Sequence, residues 1–206
     1  MRRKAPWLTV RETVLFALFG SVMYSLVQIK AIPNFHPLAL FIAALTVVYR
    51  FKALIPLYVY VMLEGFMSGF GIWWWPYLYI WTILWLLIML IPKKIHEAVA
   101  AVLISVASAL FGMGFGTFYA PFQCFVFLKG NWHMTWLWIL NGLPFDGMHA
   151  VGNFASSLLA IPFIRLLCRL EGKTYPFRTW QRKRKTDRQA IPAGPADAGE
   201  NGGDTL

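Results

Sequence analysis

The strongest constraint on this chain is a succession of long apolar runs separated by short basic or Gly/Pro breaks. The runs cover roughly residues 12–30, 36–50, 53–71, 76–92, 96–120 and 141–169. A bilayer span needs about 20 apolar residues when upright and more when tilted. Hydrocarbon offers no solvent to an unpaired backbone group, so such runs are expected to be helices. They are too continuous for the alternating pattern of an outer-membrane barrel. The expected fold is therefore all-α and integral to the membrane, with six transmembrane helices, the second of them short. Composition agrees, at 58% hydrophobic and 14% charged, where soluble domains are about half apolar and a quarter charged.

Lysine and arginine set the expected orientation. With the N-terminus inside, every one of the 19 basic residues except Lys30 and Lys129 falls in a cytoplasmic segment, as the positive-inside rule requires. Both termini are then cytoplasmic. The net charge of +10 follows from this distribution and does not point to nucleic acid. Residues 1–11 read as a basic N-terminus, 12–170 as the membrane domain and 171–206 as a tail. No small-residue cleavage site follows the first apolar run, which is expected to be a retained helix. In the tail, Arg182–Lys185 suits anionic headgroups, and the Pro/Ala/Gly-rich end cannot build a core. Cys124 and Cys168 fall at opposite membrane faces, too far apart to pair, and no His/Cys spacing suits zinc.

The external connections are expected at 31–35, about 70–76 and 121–140. The last is rich in rings and too apolar for a free aqueous loop, so a partial or re-entrant helix is expected there. His36 and His133 read as loop residues.

Polar groups inside apolar runs need a reason, because a charge at mid-membrane costs at least about 2.5–3.5 kcal/mol. Glu64 lies in the third run on a helical face with Tyr60, Ser68 and Gly71. Asp146, His149 and Asn153 share one face of the sixth run, at i, i+3 and i+7. Gln28 and Lys30 close the first run. All lie toward the outer side and can converge on one external pocket. Trp74, Trp75 and Tyr79, with their ring neighbours Trp73, Tyr77 and Trp81, then supply its walls. Other readings stand beside this one. Trp73–Trp75 suits an interfacial belt equally well. Asp146 is equally placed to cap a helix after Pro144 or to pair with Lys30 or His149. Glu64 can pair with a buried hydroxyl or amide. Gly112, Gly114 and Gly116 permit close helix contact.

Catalytic patterns are missing from the sequence. There is no GxSG nucleophile motif, no HExxH and no Walker A, and Asp146–His149 has no adjacent nucleophile. A binding role in transport, without catalysis by this chain, is the expectation. Two rivals remain: a stand-alone proton-coupled transporter using Glu64 and His149, and a small membrane-embedded enzyme.

Three strings carry a family resemblance: QIKAIPNFHP at 28–37, LEGFMSGFGIWWWPYLYIW at 63–81 and GLPFDGMHAVGNF at 142–154. Over about residues 10–170 the chain resembles the substrate-binding S components of energy-coupling factor (ECF) vitamin transporters, particularly a clostridial-type subgroup. The resemblance implies a six-helix protein of the bacterial plasma membrane that captures a vitamin or related micronutrient from outside. It implies a pocket in the outer halves of the later helices, capped by the external loops. The polar and ring residues already singled out, Glu64, Trp74, Trp75, Tyr79, Asp146, His149 and Asn153, are the expected substrate-binding residues there. It also implies docking on a transmembrane T component that carries two cytoplasmic ATPases. ATP would be used by those partners, with no cofactor on this chain. The family's docking stripe of small residues corresponds to Ala17 and Ser21 with Gly20 alongside, Ser21 replacing the second alanine of the pattern.

Overall fold

The computed structural model describes residues 7–29 and 36–179. Lys30, the 31–35 connection, the first six residues and Arg182–Lys185 lie outside the described residues. The described residues form eight α-helices, in order α1 Val10–Gln28, α2 Leu38–Tyr49, α3 Leu54–Ser68, α4 Tyr77–Met89, α5 Glu97–Met113, α6 Phe115–Val126, α7 Trp132–Ser157 and α8 Ala160–Leu170. Described residues form no strand beyond one isolated bridge between His96 and Arg178.

Local sequence explains the helix boundaries. Thr9 and Glu12 make a reciprocal capping box that starts α1, satisfying two backbone donors that a helix start leaves open. Gly69, at φ 89°, ends α3 in a conformation that glycine adopts without strain. Pro76 then opens α4. Asn131 starts α7 by accepting the Met134 N–H.

By length and composition, Val10–Gln28, Leu38–Ser68, Ile72–Met89 and Glu97–Val126 can each cross a membrane. The pair α7 and α8, bent by 48°, makes a fifth candidate. The described chain is thus an all-helical protein compatible with several membrane passes. Within Leu38–Ser68 the direction reverses at Arg50, whose φ is 55°. Side-chain contacts along α1 record the turn. Phe16 meets Tyr49 and Phe19 meets Phe41, so α2 runs against α1. Glu12 meets Lys52 and Gln28 meets Glu64, so α3 runs with α1. The 12-residue α2 is about 18 Å long, shorter than a hydrocarbon core.

Two expected boundaries change. The 121–140 segment is helical, as expected, but it is not one separate helix. It divides between α6 and α7, leaving only Phe127–Asn131 as a turn. Its rings explain why: Tyr119 lies 6.0 Å from Trp138 and Phe125 lies 5.9 Å from Trp132, zipping the two helices together. Correspondingly, the sixth run begins earlier, at Trp132, and breaks at Leu158–Leu159. Pro121 and Pro144 sit inside these helices, as membrane helices allow where neighbours satisfy the freed carbonyl.

Charge gathers at one end of the bundle. Lys52 binds Glu12 at 2.8 Å, Arg11 binds Glu171 at 2.9 Å, and Arg165 pairs with Glu97. Residues 173–178 fold back onto this end. The Lys94 N–H donates to Pro176, the Glu97 N–H donates to Arg178, and the Arg178 N–H donates to Ile95. Lys173 sits 3.7 Å from the Tyr49 ring centre; partial burial draws its ammonium below the ordinary lysine range. The apolar core, with Phe16, Leu45, Leu57, Leu84 and Ile104 fully enclosed, lies between this end and the site.

Candidate functional site

The site is organised by the contact of α7 with α5 and α6. Two glycines let the helices close. A Cβ on Gly112 would lie 2.7 Å from the His149 backbone, and one on Gly116 would lie 2.6 Å from Asp146 Oδ2. Small residues at this spacing allow close approach of membrane helices. Through this contact Asp146, His149 and Asn153 reach across together. The Gly116 N–H donates to both Asp146 oxygens, at 3.1 and 3.0 Å. Gly116 is in the first turn of α6, where backbone donors lack helical partners and negative charge is favoured. Asp146 is therefore a cap, though of another helix: its own helix begins at Trp132. Asn153 Nδ2 donates to the Ser108 carbonyl at 3.2 Å. His149 lies with its ring 5.1 Å from that of Phe115.

Two cavities meet at His149 and Phe115. The central one, about 290 Å³, is lined by the C-terminal end of α1, the start of α2, and α3, α4, α5, α6 and α7. Its polar lining is Tyr60, Tyr77, His149, Asn153 and His36, so His36 is a cavity residue and not merely a loop one. Trp81 forms its hub, with ring centres 5.7–5.8 Å from Tyr60, Tyr77, Phe111 and Phe115. The Trp81 indole N–H is buried and has no acceptor among the described residues. The second cavity is a lateral cleft of about 440 Å³ between α6 and α7. Asp146, Asn141 and His149 are its polar groups, and Phe115, Tyr119, Trp138 and Phe145 its rings. Both volumes suit small organic molecules.

No family model, curated protein or solved structure matches the chain.

The site must therefore be judged on its own geometry. Of the seven expected binding residues, Asp146, His149 and Asn153 line the cavities. The other four do not. Glu64 is buried on α3, receiving Gln28 Nε2 at 3.4 Å and Ser68 Oγ at 3.5 Å. This joins the ends of α1 and α3 beside the central cavity without lining it. Trp74 packs inward and donates its indole N–H to the Val61 carbonyl at 2.8 Å, holding the 69–76 bend against α3. Trp75 is 55% exposed, as a belt residue would be. Tyr79 donates to the Phe118 carbonyl at 2.9 Å, tying α4 to α6, and Tyr119 to the Trp73 carbonyl at 3.2 Å, tying the bend to α6. The small residues of α1 also divide. Ala17 and Ser21 are exposed, whereas Gly20 faces α3, where a Cβ would collide with Val59.

Phe115, Tyr119, Asn141 and Trp138 escaped the sequence reading. Gly112 and Gly116, four residues apart, were the available signal, since close approach there brings the flanking rings onto α7. Among the described residues no three His, Cys, Asp or Glu side chains gather as a metal site.

Proposed function

We propose that the chain is the substrate-capture subunit of an ECF-type importer in a bacterial plasma membrane, binding a vitamin or related micronutrient in the central cavity. The observation that carries this reading is the cavity itself. It is a small ring-lined chamber with a few convergent polar groups, His149, Asn153, Tyr60 and Tyr77, placed toward the end of the bundle away from the charged one. Such a composition fixes a small ligand by orientation and apolar contact. Six passes with both termini cytoplasmic fit the reversal at Arg50 and put the charged end inside, in accord with the positive-inside rule. The cavity then opens toward the outside.

Movement across the membrane is left to partners: a T component and two ATPases that use ATP. The exposed small-residue stripe of α1 is the proposed docking face. Ser21 Oγ donates to the Ala17 carbonyl and Ser25 Oγ to the Ser21 carbonyl, so the hydroxyls are satisfied within the helix and the face is free to meet another helix in lipid.

The test is to purify the tagged chain gently from its own cells and analyse it by native mass spectrometry. Co-purification of two ATPases and a transmembrane partner, with a single retained small molecule, is expected. A chain that isolates alone, yet drives uptake in vesicles, rejects the reading.

A further inference from the structure

We infer that the lateral cleft between α6 and α7 is a binding site for an N–H-bearing organic cation of aryl-alkyl ammonium size. The inference deepens the binding reading above and rests on it only in placing binding at this end of the bundle.

The Asp146 carboxylate is buried, with 4% of the residue exposed, in an apolar stretch of the chain. Both oxygens share a single donor, the Gly116 N–H, while an ionised carboxylate offers about four acceptor positions. No lysine, arginine or histidine pairs with it among the described residues. A buried charge of this kind is normally paired. The carboxylate lines an open cleft, so a ligand can supply the missing donors and charge. The other walls fit the same ligand. Tyr119, Trp138 and Phe145 present rings, whose faces attract cations, and Asn141 adds an amide. The His149 imidazole, which makes no ion pair with Asp146, closes the side shared with the central cavity. Tyr119 and Trp138 lie 6.0 Å apart with their planes tilted by 32°, leaving the ligand's apolar part a ring-lined side. An anion would meet Asp146 directly and be repelled. A neutral ligand of the same shape would leave the carboxylate without its counter-charge.

The experiment uses the full chain in lipid nanodiscs and titrates three probes of one shape: tryptamine, tryptophol and indole-3-acetate. Tryptamine should bind, with the neutral and anionic probes at least tenfold weaker. In Asp146→Asn, which retains an acceptor for the Gly116 N–H, tryptamine affinity should fall at least tenfold and the preference among the probes should vanish. Trp138→Ala, which keeps the Asp146 carboxylate, the Gly116 N–H and the Phe125–Trp132 contact between the helices, should weaken tryptamine as well. Equal binding of the three probes, undiminished binding by Asp146→Asn, or no tryptamine binding by the unaltered chain would overturn the inference. Partner co-purification is scored separately. Its loss with tryptamine binding intact removes the importer reading alone; its presence without tryptamine binding removes the cation site alone.

Discussion

Asp146 of α7 holds the Gly116 N–H of α6 between its two carboxylate oxygens, at 3.1 and 3.0 Å. This contact ties the helix carrying the polar face to the helix carrying the rings, and one turn away Gly112 lies against the His149 backbone. The pair of glycines makes a graded prediction. At Gly116 an added methyl meets a side-chain carboxylate that can rotate; at Gly112 it meets backbone, at 2.7 Å, that cannot. Gly116→Ala should cost about 1–3 kcal/mol, the usual range for overpacking, and Gly112→Ala more. Thermal unfolding in one detergent checks the order. Equal melting temperatures for the two variants would contradict the rigid α5–α7 contact.

The charged end makes a second prediction. Glu12 accepts Lys52 through both oxygens, at 2.9 and 2.8 Å, while closing the capping box with Thr9. Its side chain is largely covered, and Lys173 approaches within 3.9 Å. Glu12→Gln should lower stability by about 1–3 kcal/mol, more than the 0–1 of an exposed pair and less than the loss from a fully buried one. Lys52→Met should cost less than Glu12→Gln, because Glu12 retains Lys173 and Thr9. A double-mutant cycle read by thermal unfolding measures the coupling.

Trp81 is expected to respond in the opposite sense. Its ring is the hub of the central cavity, but its N–H has no acceptor among the described residues, and an orphaned buried donor costs about 1–3 kcal/mol. Trp81→Phe retains an aromatic ring and removes that donor. The ligand-free variant should melt no lower than the parent chain, whereas Trp81→Ala should melt well below it, by about 3–5 kcal/mol in stability. A large loss in ligand-free Trp81→Phe would show that the indole N–H is satisfied in the unaltered chain.

Trp74 separates the wall reading from the structural one. The WWWP string predicts amphipathic rings at a membrane boundary, but runs of identical residues carry no information about which ring turns inward. The bend decides that. Gly69 ends α3, Pro76 starts α4, and the short turn between them aims Trp74 at the Val61 carbonyl while leaving Trp73 and Trp75 outside. Trp74→Phe should therefore lower stability by about 1–2 kcal/mol, the worth of a lost buried hydrogen bond, with ligand affinity unchanged. Titration of the co-purified ligand against both variants, Trp74→Phe and Trp75→Leu, provides the check.

The same contrast shows what could be read in advance. Apolar runs specify helices because hydrocarbon forbids any other open backbone, so the positions of α1 to α5 were legible. The i, i+3, i+7 face of Asp146, His149 and Asn153 was legible too, since helical geometry alone puts those residues together. The partners across the contact were not. Whether 121–140 formed a separate helix or a helical hairpin depended on Tyr119 meeting Trp138 and Phe125 meeting Trp132, pairings between segments whose distance in space no local pattern encodes. Glu64 illustrates the limit from the other side. Its burial was foreseeable, but its placement beside Gln28, off the cavity wall, followed only from the parallel packing of α1 and α3.

The small residues of α1 give the sharpest test of the docking proposal, because neighbours along one helix turn should behave in opposite ways. Ala17 and Ser21 face outward, and Gly20 faces inward against Val59 and the Pro56 carbonyl. Ala17→Leu and Ser21→Leu add bulk to a surface that lipid tolerates, so the isolated chain should melt as before and retain its ligand. Both should nevertheless prevent a helix of the T component from approaching, and the ATPases should no longer co-purify. Gly20→Leu must push α1 from α3, which also pulls Gln28 from Glu64, so it should destabilise the isolated chain outright. Partner capture and thermal unfolding, measured on the same three preparations, distinguish an outer docking stripe from an internal packing seam. Retained partner capture by both Leu variants at positions 17 and 21 would place the docking surface elsewhere on the bundle.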